Sequence, residues 1–200
     1  VHNEKFKRTV QTITYMPYFI SLVVMCSLIK IYCQENGLFS QIAEAFGGTR
    51  RNFMIDPSAF RPIYILSEIW QGIGWNSIIY LAALSGIDME QYEAARIDGA
   101  NRFQQVLHIT LPGILPTISI LFVLRMGGIL NVGYEKVLLL YTTNTYDVAD
   151  VFSTYTYRMG LENQKYSLST AVGLFNTVVN IFFLLLTNFV SRKTVQSGLF

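Results

Sequence analysis

The run Gly86-Ile87-Asp88-Met89-Glu90-Gln91-Tyr92-Glu93-Ala94-Ala95-Arg96-Ile97-Asp98-Gly99-Ala100-Asn101-Arg102-Phe103-Gln104-Gln105-Val106-Leu107-His108-Ile109-Thr110-Leu111-Pro112 separates two apolar segments, Ile63 to Leu84 and Ile114 to Leu130. Asp88 suits a helix N-cap, and Gln91 three residues on completes a capping box. Met89 to Asp98 then gives about two and a half helical turns. Gly99 can take the left-handed conformation that ends them. Asn101 to Ile109 reads as a second short helix, and Pro112 as the first turn of the next one. The expected element is a helix–turn–helix lying outside a bilayer. Ala94 and Ala95 leave a smooth patch for close approach by another protein, with the Glu93 carboxylate beside it. Such an element can carry force from a soluble partner into the membrane. The plainer alternative is an ordinary amphipathic loop helix.

The flanking segments belong to a set of four apolar runs: Val10 to Ile31, Ile63 to Leu84, Ile114 to Leu130 and Ser167 to Val190. A span needs about 20 mostly apolar residues. Of the 200 residues, 52% are hydrophobic and only 14% charged, against about 25% charged in soluble domains. The charge deficit predicts an all-α, multi-span transmembrane bundle rather than a soluble or disordered chain. A net charge of +2 supplies no basic field for nucleic acid. Cys26 and Cys33 form neither a disulfide framework nor a zinc pattern.

Two longer connections complete the chain. Leu38 to Phe46 has the 3.6-residue apolar spacing of a helix lying on a surface, ended by Gly47-Gly48. Asn131 to Tyr166 includes Asp147 to Leu161, read as one tyrosine-rich amphipathic helix capped by Asp147. Tyrosine favours membrane–water boundaries. Loop charge alone does not orient the chain: with the N-terminal end inside, seven Lys and Arg fall on each side. Clusters at Lys5-Phe6-Lys7-Arg8 and Arg192-Lys193 favour those ends inside.

Glu93-Ala94-Ala95, Gly99, Ile109 and Leu111-Pro112 at this spacing resemble the EAA loop of permease subunits in binding-protein-dependent ABC importers. Seven fixed positions should recur by chance on the order of once in 10⁸ windows at ordinary residue usage. Asp98 and Ala100 beside Gly99 resemble the sugar-importing branch. Met16-Pro17-Tyr18-Phe19-Ile20-Ser21, Tyr92 to Pro112 and Asn131 to Lys136 are similar to the LplB-type permeases for poly- or oligosaccharides. The resemblance implies a MetI-like permease fold with six spans and both ends cytoplasmic. With Val1 at its start, the chain is expected to hold the last four of those spans. It would form a single permease domain over 1–200, with 85–112 as a cytoplasmic coupling loop. Tyr141 to Tyr146 stands where many sugar permeases carry Gly-Gly-Pro, a departure in the outer loop.

The resemblance further implies a coupling set that meets an ATPase subunit: Glu93, Ala94, Ala95, Asp98, Gly99, Ile109, Leu111 and Pro112. It implies a substrate path through Trp75, Asn131, Glu68, Gln71, Gly72 and Tyr18. Aromatic faces suit sugar rings, and amides or carboxylates suit hydroxyls; helix packing is the plainer use of the same residues. Arg125 joins the path because intramembrane charges are paired or face a cavity. A Glu68–Arg125 pair is the simplest expectation, and contact of Arg125 with an acidic sugar the sharper one.

No Gly-Lys-Ser/Thr phosphate loop is present, and His2 and His108 lack metal-ligand neighbours. The expectation is therefore no catalytic residue, metal or cofactor in this chain, with ATP and Mg held by partner ATPases. Implied partners are a second permease, two ATPase subunits, an extracytoplasmic solute-binding protein, lipid and a sugar-type solute. The implied location is a bacterial cytoplasmic membrane. A permease for another solute, an ion-coupled carrier using Glu68 and a non-transporting membrane scaffold are the alternatives.

Overall fold

The structure, a computed structural model, describes residues 4–195. Within them every regular element is helical. The order is α1 (Glu4–Tyr15), α2 (Leu22–Cys33), α3 (Leu38–Ala45), α4 (Pro57–Ser85), α5 (Met89–Ile97), α6 (Arg102–Gln105), α7 (Leu111–Met126), α8 (Tyr134–Leu140), α9 (Tyr146–Ala149), α10 (Phe152–Tyr157) and α11 (Tyr166–Val195). By length and composition, three stretches among the described residues can cross a membrane: Leu22–Ala45, Arg102–Met126 and Tyr166–Lys193. At 29 residues, α4 is about 43 Å long, ample for a span. Glu68, Gln71 and Asn76 make it more polar than the other three.

Among the described residues, 4–75 and 131–174 form one compact unit, and 76–130 and 175–195 a second. In the first unit the run Val10 to Ile31 is two helices rather than one. Pro17 has no N–H to give and fixes its φ, so the chain passes through a 3₁₀ turn at Met16–Phe19. The Ile20 N–H is taken up by the Pro17 carbonyl at 3.2 Å. Beyond the break, α2 buries Met25, Cys26 and Cys33 against Met54, Phe60, Val137, Leu140 and Ala149. The core of this unit thus includes the connection after residue 130, which the sequence reading treats as an outer loop. Apolar side chains at Val137 and Leu140, one helical turn apart, turn α8 inward.

Asp147 to Leu161 is not one helix capped by Asp147. It breaks at Asp150-Val151, between α9 and α10. Thr145 and Thr154, both fully buried, accept from the backbone N–H three residues earlier, each at 2.9 Å. These bonds hold the chain extended before the next turn begins. The Thr154 hydroxyl donates to Asp150 Oδ1 at 2.6 Å. Arg158 grips the same carboxylate with both terminal nitrogens and lies over the Tyr146 ring, 5.5 Å from its centroid. Burial pushes the Asp150 carboxyl up, but the hydrogen bonds from Arg158 and Thr154 outweigh it and hold the group below its ordinary value. Such a group stabilises the fold above its unfolded value of about 3.9, and the effect fades as pH falls through the lowered folded value. Asp150→Asn should therefore lower the thermal midpoint at pH 7 by about 2–4 °C. In a pH series of melts, that difference should vanish at the acidic end.

In the second unit α7 and α11 pack through small and polar groups, as membrane helices do. A Cβ on Gly127 would lie 2.6 Å from Leu184 Cδ1. The Asn180 side chain accepts from the Leu130 N–H at 3.3 Å. Asn180, Thr187, Asn188 and Ser191 form a buried polar row on α11, while Phe182, Leu185, Leu186 and Phe189 stay exposed. An apolar exterior over a polar seam suits a lipid solvent, which makes the chain a multi-pass membrane protein by its packing as well as by its length.

Candidate functional site

The segment after α4 forms the predicted helix–turn–helix, with two changes. Asp88 caps α5 by accepting from the Glu90 N–H at 3.0 Å; Gln91 does not close a capping box on it. That reciprocal pair forms one helix later, between Asn101 and Gln104 at 2.8 and 2.9 Å. Between the two helices Gly99 has φ +77°. The Ala100 N–H bonds the Ala95 carbonyl at 2.8 Å and the Gly99 N–H the Arg96 carbonyl at 3.1 Å. This is the Schellman closure that glycine favours. Glu93, Ala94, Asp98 and Gly99 are exposed, and Ala95 is half-buried.

The second arm is not a separate short helix. It continues from α6 through a π-helical turn at Val106–Thr110 into α7. The wider turn meets the demand of Pro112, which cannot donate to the carbonyl four residues back. Tyr92 braces it: its hydroxyl lies 2.8 Å from the Thr110 hydroxyl. Ile109 is half-buried, while Leu111 and Pro112 are exposed. The arms enclose a notch of about 320 Å³ lined by Ala95, Asp98, Gly99, Gln105, His108 and Ile109. On the flanks of the turn, Ile97 is 87% and Phe103 74% exposed. Sequence reading passed over these two. Their signal is a large apolar residue on either side of Gly99 in a polar stretch, a contact surface by its exposure.

A second constellation lies in the first unit. Tyr64, Glu68, Gln71 and Trp75 recur every three or four residues along α4 and so share one stripe. Gly72 lies at its edge. The α1–α2 break meets this stripe. Tyr18 stacks on Trp75 with ring centres 4.6 Å apart and planes at 6°, and Phe19 meets the same indole edge-on at 5.8 Å. The Gln71 amide donates to the Ile20 carbonyl at 3.1 Å, satisfying a backbone group freed by the break. Gly74 makes the approach possible, since a Cβ there would lie 2.1 Å from the Thr14 oxygen.

Glu68 corrects one expectation. Its carboxylate pairs with Lys136 at 2.7 Å, not with Arg125. Lys136 also donates to the Tyr64 carbonyl at 3.3 Å and lies 4.8 Å from that ring's centre. Arg125 belongs to the other compact unit, is exposed, and forms no ion pair among the described residues. Asn131 is exposed at the start of the connection that leads to Lys136. Trp70, unlike Trp75, turns to an apolar groove of about 670 Å³ lined also by Met25, Leu28, Tyr32, Phe53 and Leu66. The structure thus joins Tyr18, Glu68, Gln71 and Trp75 in one stripe and adds Lys136. Among the described residues no cluster of His, Cys, Asp and Glu has the makings of a metal site.

Comparison with known proteins adds three findings. Residues 1–196 match the family described as "Binding-protein-dependent transport system inner membrane component". Protein LplB of Bacillus subtilis (strain 168) is 41% identical over 201 residues, which cover all of this chain and 63% of LplB. The polygalacturonan/rhamnogalacturonan transport system permease protein YteP of the same organism is 41% identical over 196 residues, covering 98% of this chain and 61% of YteP. The chain therefore spans about three fifths of the length of these relatives. Among solved structures, a bacterial alginate ABC transporter in complex with alginate pentasaccharide-bound periplasmic protein has a chain that superposes with a TM-score of 0.96. It is 44% identical and matches 100% of this chain and 69% of that chain.

Proposed function

The chain belongs to the family of binding-protein-dependent transport system inner membrane components, and on that premise we propose that it is the permease body of an ATP-driven importer of oligosaccharides in a bacterial cytoplasmic membrane. The observation that carries the coupling half is the continuous rod Arg102–Met126, which starts at the Gly99 turn and is apolar enough to span. A push on the turn moves α7 as one piece. Glu93, Ala94, Asp98 and Gly99, with the half-buried Ala95, form the docking face for an ATPase subunit, flanked by Ile97 and Phe103. Ile109, Leu111 and Pro112 set where the docking arm becomes the rod. ATP and Mg bind in the ATPase subunits, whose closure shifts the rod and switches the passage from inward-facing to outward-facing. A second permease completes the passage, and a solute-binding protein delivers to the outer segments 34–61 and 131–166.

The stripe on α4 supports the solute half. Trp75 and Tyr18 offer ring faces for pyranose stacking, and Glu68 and Gln71 offer groups for hydroxyls. Gly72 and Asn131 flank them. Of the relatives described above, YteP is named for polygalacturonan and rhamnogalacturonan and the solved transporter for alginate, which supports a glycan as solute. The test is ATPase activity of the reconstituted complex, screened over neutral and acidic oligosaccharides. Trp75→Ala should raise the concentration for half-maximal stimulation by about tenfold. An unchanged value in an assembled complex would remove the stripe from the path.

A further inference from the structure

Glu68 stands eleven residues into α4, about 17 Å along its axis, and its side chain is 55% exposed. In a helix that serves as a span, an exposed carboxylate this far from both ends cannot face lipid at acceptable cost; it faces a water-filled passage or another protein. Behind it, the Lys136 side chain is only 3% exposed. The ammonium is fully occupied by Glu68 Oε2, the Tyr64 carbonyl and the Tyr64 ring face. No solute can reach it. The pair is neutral in sum but directional, with its positive end buried and its negative end open. Only Oε2 of Glu68 is bound to Lys136, which leaves Oε1 as an acceptor on the same stripe as the Gln71 amide and the Trp75 ring.

We infer that Lys136 and Glu68 together set the charge class of the solute: the stripe takes uncharged, hydroxyl-bearing sugar rings and disfavours uronate carboxylates. Lys136 acts as a positioning residue, supplying the counter-charge and fixing one carboxylate oxygen. Glu68 is the residue that touches solute. A ring hydroxyl donates to the open Oε1, whereas a uronate brings a like charge and no donor. This rests on the reading of the α4 stripe as part of a glycan passage. It separates this chain from a simple transfer of the acidic cargo named for YteP and for the alginate transporter.

The experiment uses the assembled complex and two forms of one oligouronide, native and carboxyl-reduced, which differ only in carboxylate against hydroxymethyl. The half-saturating concentration for ATPase stimulation is measured for each form. Its ratio is then compared between wild type and Glu68→Gln with the same binding protein, so that the binding protein's own preference cancels. The amide should shift the ratio by about tenfold toward the native uronide. The pair reversal Glu68→Lys with Lys136→Glu should shift it further in the same direction, because the open end becomes positive. A ratio unchanged in Glu68→Gln overturns the inference while leaving glycan import intact. Stimulation of the wild type by neither form, nor by any other glycan, overturns both.

Discussion

Aspartate at Gly99 should leave the permease assembled with its partners but unresponsive to solute. Gly99 sits at φ +77°, and a Cβ there would meet nothing within 4 Å. The penalty is therefore conformational, about 1–2 kcal/mol for an L-residue in the left-handed region, too little to unfold a membrane bundle. The position, however, is the bend of the proposed docking turn, between α5 and α6. A strained bend re-aims α5 against the arm that becomes α7, and a second carboxylate beside Asp98 changes the charge of the face. Solute-stimulated ATPase activity should fall by at least about tenfold, to near the unstimulated rate. Gly99→Ala shares the strain without the charge and should fall between the two. Glu93→Lys, on an exposed position with no packing to lose, should uncouple by charge alone. Full stimulation in an assembled Gly99→Asp complex would mean that this turn does not carry the coupling.

Valine at Gly74 should damage the fold of the first unit severely. The added Cβ would sit 2.1 Å from the Thr14 oxygen, 2.6 Å from its carbonyl carbon and 3.0 Å from Tyr15 Cδ1. Backbone cannot swing aside as a side chain can, so the end of α1 must leave α4. Overpacking of this kind costs about 3 kcal/mol or more. The displacement would also carry the Pro17 break away and part Tyr18 from Trp75. A thermal melt of the purified complex should show a midpoint several degrees lower, together with lost solute stimulation. Gly173→Ala is the control: nothing lies within 4 Å of its Cβ, and alanine favours the helix. Equal melts for the two variants would refute the close α1–α4 approach.

The coupling turn was legible because its determinants are local. Asp88, Gly99 and Asn101 each act on backbone groups within a few residues, and local spacing is what a sequence displays. The break at Pro17 was hidden by apolar residues on both sides, which read as one span. Asp147 falls inside α9 and caps nothing; the carboxylate that ties this segment together is Asp150, on which Thr154 and Arg158 converge in the folded chain. The partner of Glu68 was not legible at all. Lys136 lies 68 residues away, in a connection that the family resemblance placed on the outside. Its burial follows from Val137 and Leu140 being drawn into the first unit's core. Charges embedded in spans invite pairing with each other, and that rule pointed to Arg125. It failed because a helix outside the predicted spans reaches the same depth.

The Glu68–Lys136 pair also bears on the rival of an ion-coupled carrier. Such a carrier needs an intramembrane acid free to bind and release its ion. Glu68 already has one oxygen on an ammonium that is itself fully bonded. The most direct measurement is uptake of a labelled oligosaccharide into proteoliposomes holding the complete complex, with and without ATP, binding protein and an ionophore. Uptake that requires ATP and the binding protein, persists with the ionophore, and is lost in Glu93→Lys is the expected result. Uptake driven by a proton or sodium gradient without ATP would contradict an ATP-driven permease.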